Sequence, residues 1–272
     1  MLVLSALGSC RVVNPVRRAV SSFPIIFNNS RVFGYAHSAA EIVQQIQFLK
    51  GRFDLSQRLL PFLAPTTEIG LWVNASHRMS DVYVVEISSA KIVRLGETSV
   101  QWNHVCRYFA DFLQESQRAK TFWSLAHPDN QDQKLAFLAS DKTYKTLSSH
   151  DQELLRSITL EIADHASLTR DVKLILRELP RVLFVTHVNA RLGDGTYIAS
   201  RHKFIQLVKG VFSSLNASCS DPTELMEQFG QDNALLTENV SFTHYSEGFE
   251  RGLFANWYDQ YLNMSNNLAM AG

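Results

Sequence analysis

Three runs of nearly unbroken apolar residues punctuate the chain: Met1–Leu7 (MLVLSAL), Asp81–Ser88 (DVYVVEIS) and Arg181–Val188 (RVLFVTHV). Runs of this length, rich in β-branched residues, predict strands buried on both faces, the pattern of a parallel sheet. Pro24–Phe27 predicts a shorter strand. The intervening segments carry helical spacing. Ser38 is an N-cap with Glu41 at the capping-box position. It opens a helix over Ala39–Lys50 whose Ile42, Ile46 and Leu49 share one face, and Gly51 stops it. Asn14-Pro15 predicts a break, with a helix opening only at Val16–Val20. Residues 100–168 read as mostly helical, with Leu154, Leu155, Ile158 and Ile162 periodic near the end. Further helices are expected over Asp171–Leu179 (ended by Pro180), His202–Phe212 and Glu247–Asn263. Strands alternating with helices predict an α/β fold with a parallel sheet covered on both faces. No repeat, low-complexity tract or linker interrupts the pattern. The expectation is therefore one domain over residues 1–272 with a helical insertion at about 96–170.

Composition narrows the function classes. Hydrophobic residues make up 46% and charged residues 19% of the 272, as in an ordinary globular protein. Lys+Arg and Asp+Glu are 26 each, so the basic excess of a general nucleic-acid binder is missing. No window approaches ~18 uncharged apolar residues, and no membrane span is expected. Leu7-Gly8-Ser9-Cys10 imitates a lipoprotein cleavage box, but no Lys or Arg precedes the apolar stretch. Three cysteines, Cys10, Cys106 and Cys219, form no CxxC pair. That argues for a reducing, cytoplasmic setting and against a structural zinc site. The nine His fall into neither HxH nor HExxH spacing, so no metal is expected. Gly193-Asp194-Gly195 is a turn, and no Walker sequence exists.

Ligands of open α/β sheets bind at the carboxyl ends of the strands. The three strand ends here are Gly8-Ser9-Cys10-Arg11, Glu86-Ile87-Ser88-Ser89 and Thr186-His187-Val188-Asn189. A small residue at a strand-to-helix turn suits a nucleophile beside outward-pointing N–H groups. Cys10 stands in such a turn, with Arg11 next to it to hold a thiolate or an anionic substrate. The plainer alternative is a small buried cysteine. His244, just before the last helix, is positioned to swing back as a base or to serve only in packing. His37, Glu41 and Gln44 share a helical face and either line a pocket or cap the helix. His187 and Asn189 either meet substrate or are buried. Arg201, in Ser200-Arg201-His202-Lys203, either binds an anion at a helix start or is solvated.

The two ends of the chain together resemble the SGNH hydrolase superfamily, and more closely its GSC-type (GSCFA-like) bacterial members, some of them associated with polysaccharide biosynthesis. The similarity extends over Gly8-Ser9-Cys10-Arg11, Phe33–His37 with Glu41 and Gln44, and Val82–Ser89. It continues through Val182–Asn189 with Ser200-Arg201, and Asp221-Pro222-Thr223 to His244-Tyr245. The resemblance implies a three-layer α/β/α fold with flavodoxin-like connectivity and ester hydrolysis or O-acyl transfer to a carbohydrate or related hydroxyl compound. It places Cys10, or less readily Ser9, as nucleophile and His244 as base. It places Gly34 at the oxyanion hole, with Ser88 or Ser89 near the block that normally supplies an Asn. No cofactor is implied beyond acyl-coenzyme A as a donor. The chain departs from the pattern at Ser241, where the family carries the Asp that orients the base. That departure leaves a non-catalytic binder of a glycan, nucleotide or protein as the alternative.

Overall fold

The structure, a computed structural model, describes residues 1–64, 70–236 and 244–263. Its centre is a five-stranded sheet, all parallel. The chain enters through β1 (Leu2–Leu7), helix α1 (Cys10–Ala19), β2 (Ile25–Phe27), helix α2 (Ala39–Leu49) and β3 (Val82–Ile87). Then come β4 (Lys91–Leu95), β5 (Thr98–Val100), β6 (Ile158–Ile162), β7 (Val182–Thr186) and β8 (Cys219–Ser220). The sheet order is β2-β1-β3-β7-β8. Counted within the sheet, that is the flavodoxin-like 2-1-3-4-5, whose switch point lies between its first and third strands. The three apolar runs, β1, β3 and β7, are adjacent and parallel, as predicted.

Alternate residues of these strands enter two cores, which is why the runs are apolar without a polar phase. Leu4, Val82, Val84, Leu183 and Val185 pack under α1 and the last helix, Glu247–Trp257. Leu7, Tyr83, Val85, Ile87 and Phe184 pack under α2, His165–Glu178 and Ala199–Ser214. The result is three layers, α/β/α. The same parity turns Glu86, alone charged in β3, toward α1.

Three expectations are corrected. The helix begins at Cys10 and runs through Pro15, which sits among the buried residues of its inner face with Val12, Val13, Val16 and Ala19. Packing of that face against the sheet and the last helix outweighs the loss of one backbone bond at Pro15. The segment 96–170 is not all helix: β5 and β6 lie within it and pair with β4, just before it, as a three-stranded antiparallel sheet ordered β5-β4-β6. The periodic stretch ending at Ile162 divides into a helix, Ser149–Ser157, and strand β6, which pairs Ile158 with Leu95 and Ile162 with Lys91. The missed signal is Gly96, at φ +61° in the tight turn joining Leu95 to its partner Thr98. This inserted region packs with Phe33, Phe48 and Leu60–Ala64 around a third core rich in aromatics, in which Phe62, Phe112 and Phe122 are almost fully buried. Among the described residues, no helix is long and apolar enough to cross a membrane.

Candidate active site

The turn after β1 is held by a buried carboxylate. Glu86 is fully buried; one oxygen accepts the Ser9 N–H at 2.8 Å and the other accepts Arg11 Nε at 2.6 Å. Gly8 is required by this close approach. A Cβ there would lie 2.6 Å from Glu86 Cβ and 2.7 Å from Val12 Cγ2. Ser9 is the N-cap of α1, its hydroxyl accepting the Arg11 N–H at 3.2 Å. Ser9 lines the same cavity as Cys10 while its oxygen caps the helix start. Cys10 becomes the first helical residue, where backbone N–H groups have no partner within the helix.

Cys10 Sγ stands 3.7 Å from His244 Nδ1. His244 is brought there by a short antiparallel pairing: Leu236 N–H donates to its carbonyl at 2.9 Å, and Leu235 pairs with Tyr245. Ser246 then caps the last helix, accepting the Phe249 N–H at 3.2 Å. That helix is tied to α1 by Glu250, which accepts from Asn14 at 3.1 Å and from Arg18. Ser241, the position of the family's orienting acid, lies outside the described residues. Burial pushes the Cys10 thiol up; Arg11 pulls it down, while Glu86 and Glu250 push it up, and the balance is upward. The thiol is therefore protonated at neutral pH despite its place at a helix N-terminus, and it needs a base to ionise.

On the other side, the start of α2 is clipped to the end of β3. The His37 carbonyl accepts Ser88 N–H at 2.8 Å and Ser89 N–H at 2.9 Å, and the His37 ring lies 3.3 Å from Ser88 Oγ. Ser88 and Ser89 line the cavity; their N–H groups are used in this clip, so only their hydroxyls could face a substrate. Glu41 accepts His37 N–H at 2.9 Å and Ser38 Oγ at 3.0 Å. Burial raises its carboxyl to about 7. Gln44 faces elsewhere, exchanging two bonds with the Ser99 backbone at 2.8 and 2.9 Å. Gly34 holds φ +59° in a loop whose Ala36 N–H donates to Gly8 O at 3.2 Å; a Cβ on Gly34 would lie 2.5 Å from Leu63 O.

These elements surround a cavity of about 850 Å³ at the β1/β3 switch point. Cys10, Gly34, Ser88 and Ser89 line it, and so do four imidazoles: His37, His104, His187 and His244. Burial is the leading cause that lowers His37 and His104, and it lowers His187 furthest. His187 places Nδ1 2.5 Å from the Val188 carbonyl, so Nδ1 carries the proton and Nε2 is left as an acceptor. Arg11 also lines the cavity, but its guanidinium is 6% exposed and paired with Glu86. It holds the turn instead of standing free for substrate. Asn189 and Arg201 do not line the cavity. Asn189 is buried, and Arg201 donates to Val188 O at 3.2 Å.

The sequence reading missed Glu86 in its role, although one charge inside a six-residue apolar strand is itself a signal. It also missed the wall supplied by β4 and the inserted region: Lys91, Gln101, Trp102, His104 and Arg107. No local motif marks them, because their relation to Cys10 exists only after the insertion packs.

The family described as TviD N-terminal domain matches residues 2–260. A relative, the Vi polysaccharide biosynthesis protein TviD of Salmonella typhi, is 35% identical over 273 aligned positions, covering 98% of this chain and 32% of that protein. The chain thus spans about a third of the length of that relative. No solved structure matches the chain. With nearly its whole length matched and its candidate site inside the match, the chain belongs to the TviD N-terminal domain family.

Proposed function

We propose that this chain is an SGNH-like esterase or O-acyltransferase acting on a carbohydrate in polysaccharide biosynthesis. The observation that carries the reading is Cys10 Sγ at 3.7 Å from His244 Nδ1, at the switch point of a flavodoxin-like sheet. Its relation to a polysaccharide biosynthesis protein supports the substrate class. His244 takes the Cys10 proton as sulfur attacks the acyl carbonyl. The developing oxyanion is met by N–H groups of Cys10 and Gly34. The tetrahedral intermediate collapses to a Cys10 thioester, and His244 returns the proton to the departing alcohol or coenzyme A thiolate. A sugar hydroxyl, or water, then attacks the thioester while His244 accepts its proton. Collapse expels the Cys10 thiolate, which recovers the proton from His244. His187, neutral and presenting an acceptor, takes a hydrogen bond from a substrate hydroxyl. Three unpaired cysteines suit a cytoplasmic setting, where acyl-coenzyme A is the natural donor.

The test is intact-mass analysis after mixing with acetyl-coenzyme A or p-nitrophenyl acetate. An acetyl adduct localised to Cys10, lost in Cys10→Ala and slowed in His244→Ala, supports the reading; acetylation spread over lysines alone rejects it. A second reading, a non-catalytic glycan binder, is favoured by Ser241 at the acid position. It predicts glycan binding with no Cys10 adduct.

A further inference from the structure

A second groove, of about 600 Å³, lies on the inserted region and shares Trp102 with the cavity that holds Cys10. Trp102 stacks on Trp123 with ring centroids 4.0 Å apart and planes 27° from parallel. Both indoles are half-buried, while the deep core beside them is already filled by Phe112 and Phe122. Lys91, which lines the inner cavity, places its ammonium 3.9 Å from the centroid of Trp102. The two spaces are thus divided by one aromatic wall. The outer one is floored by Ala110, Leu113 and Ala119, with Gln114, Ser116 and Lys120 as its polar groups.

Because Trp123 covers one face of Trp102 and Lys91 the other, we infer that Trp123, backed by Trp102, is a sugar subsite, so that the substrate is a glycan chain laid across both spaces and not a single sugar. This inference rests on the carbohydrate reading of the Cys10 cavity. A sugar ring offers an apolar face of C–H groups and an edge of hydroxyls. An aromatic wall beside amide, hydroxyl and ammonium groups complements both. A single sugar beside Cys10 has no use for the second space. Coenzyme A is the other molecule long enough to reach it, but its phosphates call for clustered cations. Arg17, Lys91 and Arg107 line the inner cavity, whereas Lys120 is the one cation among the residues lining the outer groove.

The experiment is calorimetric titration of the full chain, carrying Cys10→Ala to prevent turnover. The ligands are tetrasaccharides prepared from Vi polysaccharide, the constituent monosaccharide, and coenzyme A. The tetrasaccharide should bind more tightly than the monosaccharide. Trp123→Ala should weaken it roughly tenfold, the size of one aromatic contact, and leave the monosaccharide unchanged. Ala110→Tyr, at an exposed position, fills the groove without touching the core and should do the same. Equal affinity for both lengths, indifference to both variants, no glycan binding at all, or coenzyme A competing for the outer groove each overturns the inference. The acyl-transfer reading is judged separately, with Cys10 intact, by p-nitrophenyl acetate turnover. Its absence alongside length-dependent binding leaves the subsite standing, and its presence without glycan binding does the reverse.

Discussion

Glu86→Gln separates the charge of the buried carboxylate from its shape. The Gln amide oxygen can still accept the Ser9 N–H that Glu86 accepts at 2.8 Å, so the turn keeps one bond. What is lost is the negative charge 2.6 Å from Arg11 Nε, in a pair whose side chains are 6% and 0% exposed. Removing one partner of a buried pair costs about 3–5 kcal/mol, because the other charge stays in a low-dielectric site. Urea unfolding at pH 7 should therefore show a loss near the lower end of that range, with the slope unchanged. Arg11→Met combined with Glu86→Leu should recover more than about 1 kcal/mol of it, since an apolar pair avoids the desolvation cost. Burial pushes the Glu86 carboxyl up, but Arg11 and the Ser9 N–H outweigh it and hold it below its ordinary 4.5. Its stabilisation is then complete above about 4.5 and is lost as pH falls through the lower folded value. Glu86→Gln should flatten that acidic limb. Because Glu86 also pushes the Cys10 thiol up, the variant should alkylate faster at Cys10 at pH 7. A stability loss under about 0.5 kcal/mol with an unchanged acidic limb would refute the reasoning.

Cys10 alkylation by iodoacetamide should be slow at pH 6 and climb steadily past the ordinary thiol value, because burial raises its pKa; peptide mapping against Cys106 and Cys219 checks this, and His244→Ala should lower the neutral-pH rate. Glu41, raised by burial to about 7 from an ordinary 4.5, should make folding less favourable as pH rises through that window. At 1.36 kcal/mol per unit the effect is at most about 3 kcal/mol, and pH-dependent unfolding of Glu41→Gln should lack it. Gly34→Ala meets a positive φ of 59° and a carbonyl 2.5 Å from the new Cβ. A loss of about 2 kcal/mol or more in thermal unfolding is expected, where a change within 0.5 kcal/mol counts against the loop geometry.

The sequence by itself determined the layout of the sheet. Apolar residues at both parities in Leu2–Leu7, Val82–Ile87 and Val182–Thr186 can be buried only between two layers, and helices between them force parallel crossovers. It also marked the turn at Gly8, the cap at Ser38 and the two candidates Cys10 and His244, because strand ends and helix starts are local signals. Tertiary structure decided which residues meet. Pro15 stays helical because the face it shares is buried, and β6 is a strand because β4 offers it a partner. Arg11 was legible as a cation beside Cys10, but Glu86, 75 residues away, claims it. Trp102 and His104 reach the cavity from an insertion whose docking no local pattern encodes. Contacts across such separations depend on how independent elements pack, and periodicity records only the face an element buries, not the neighbour it finds there.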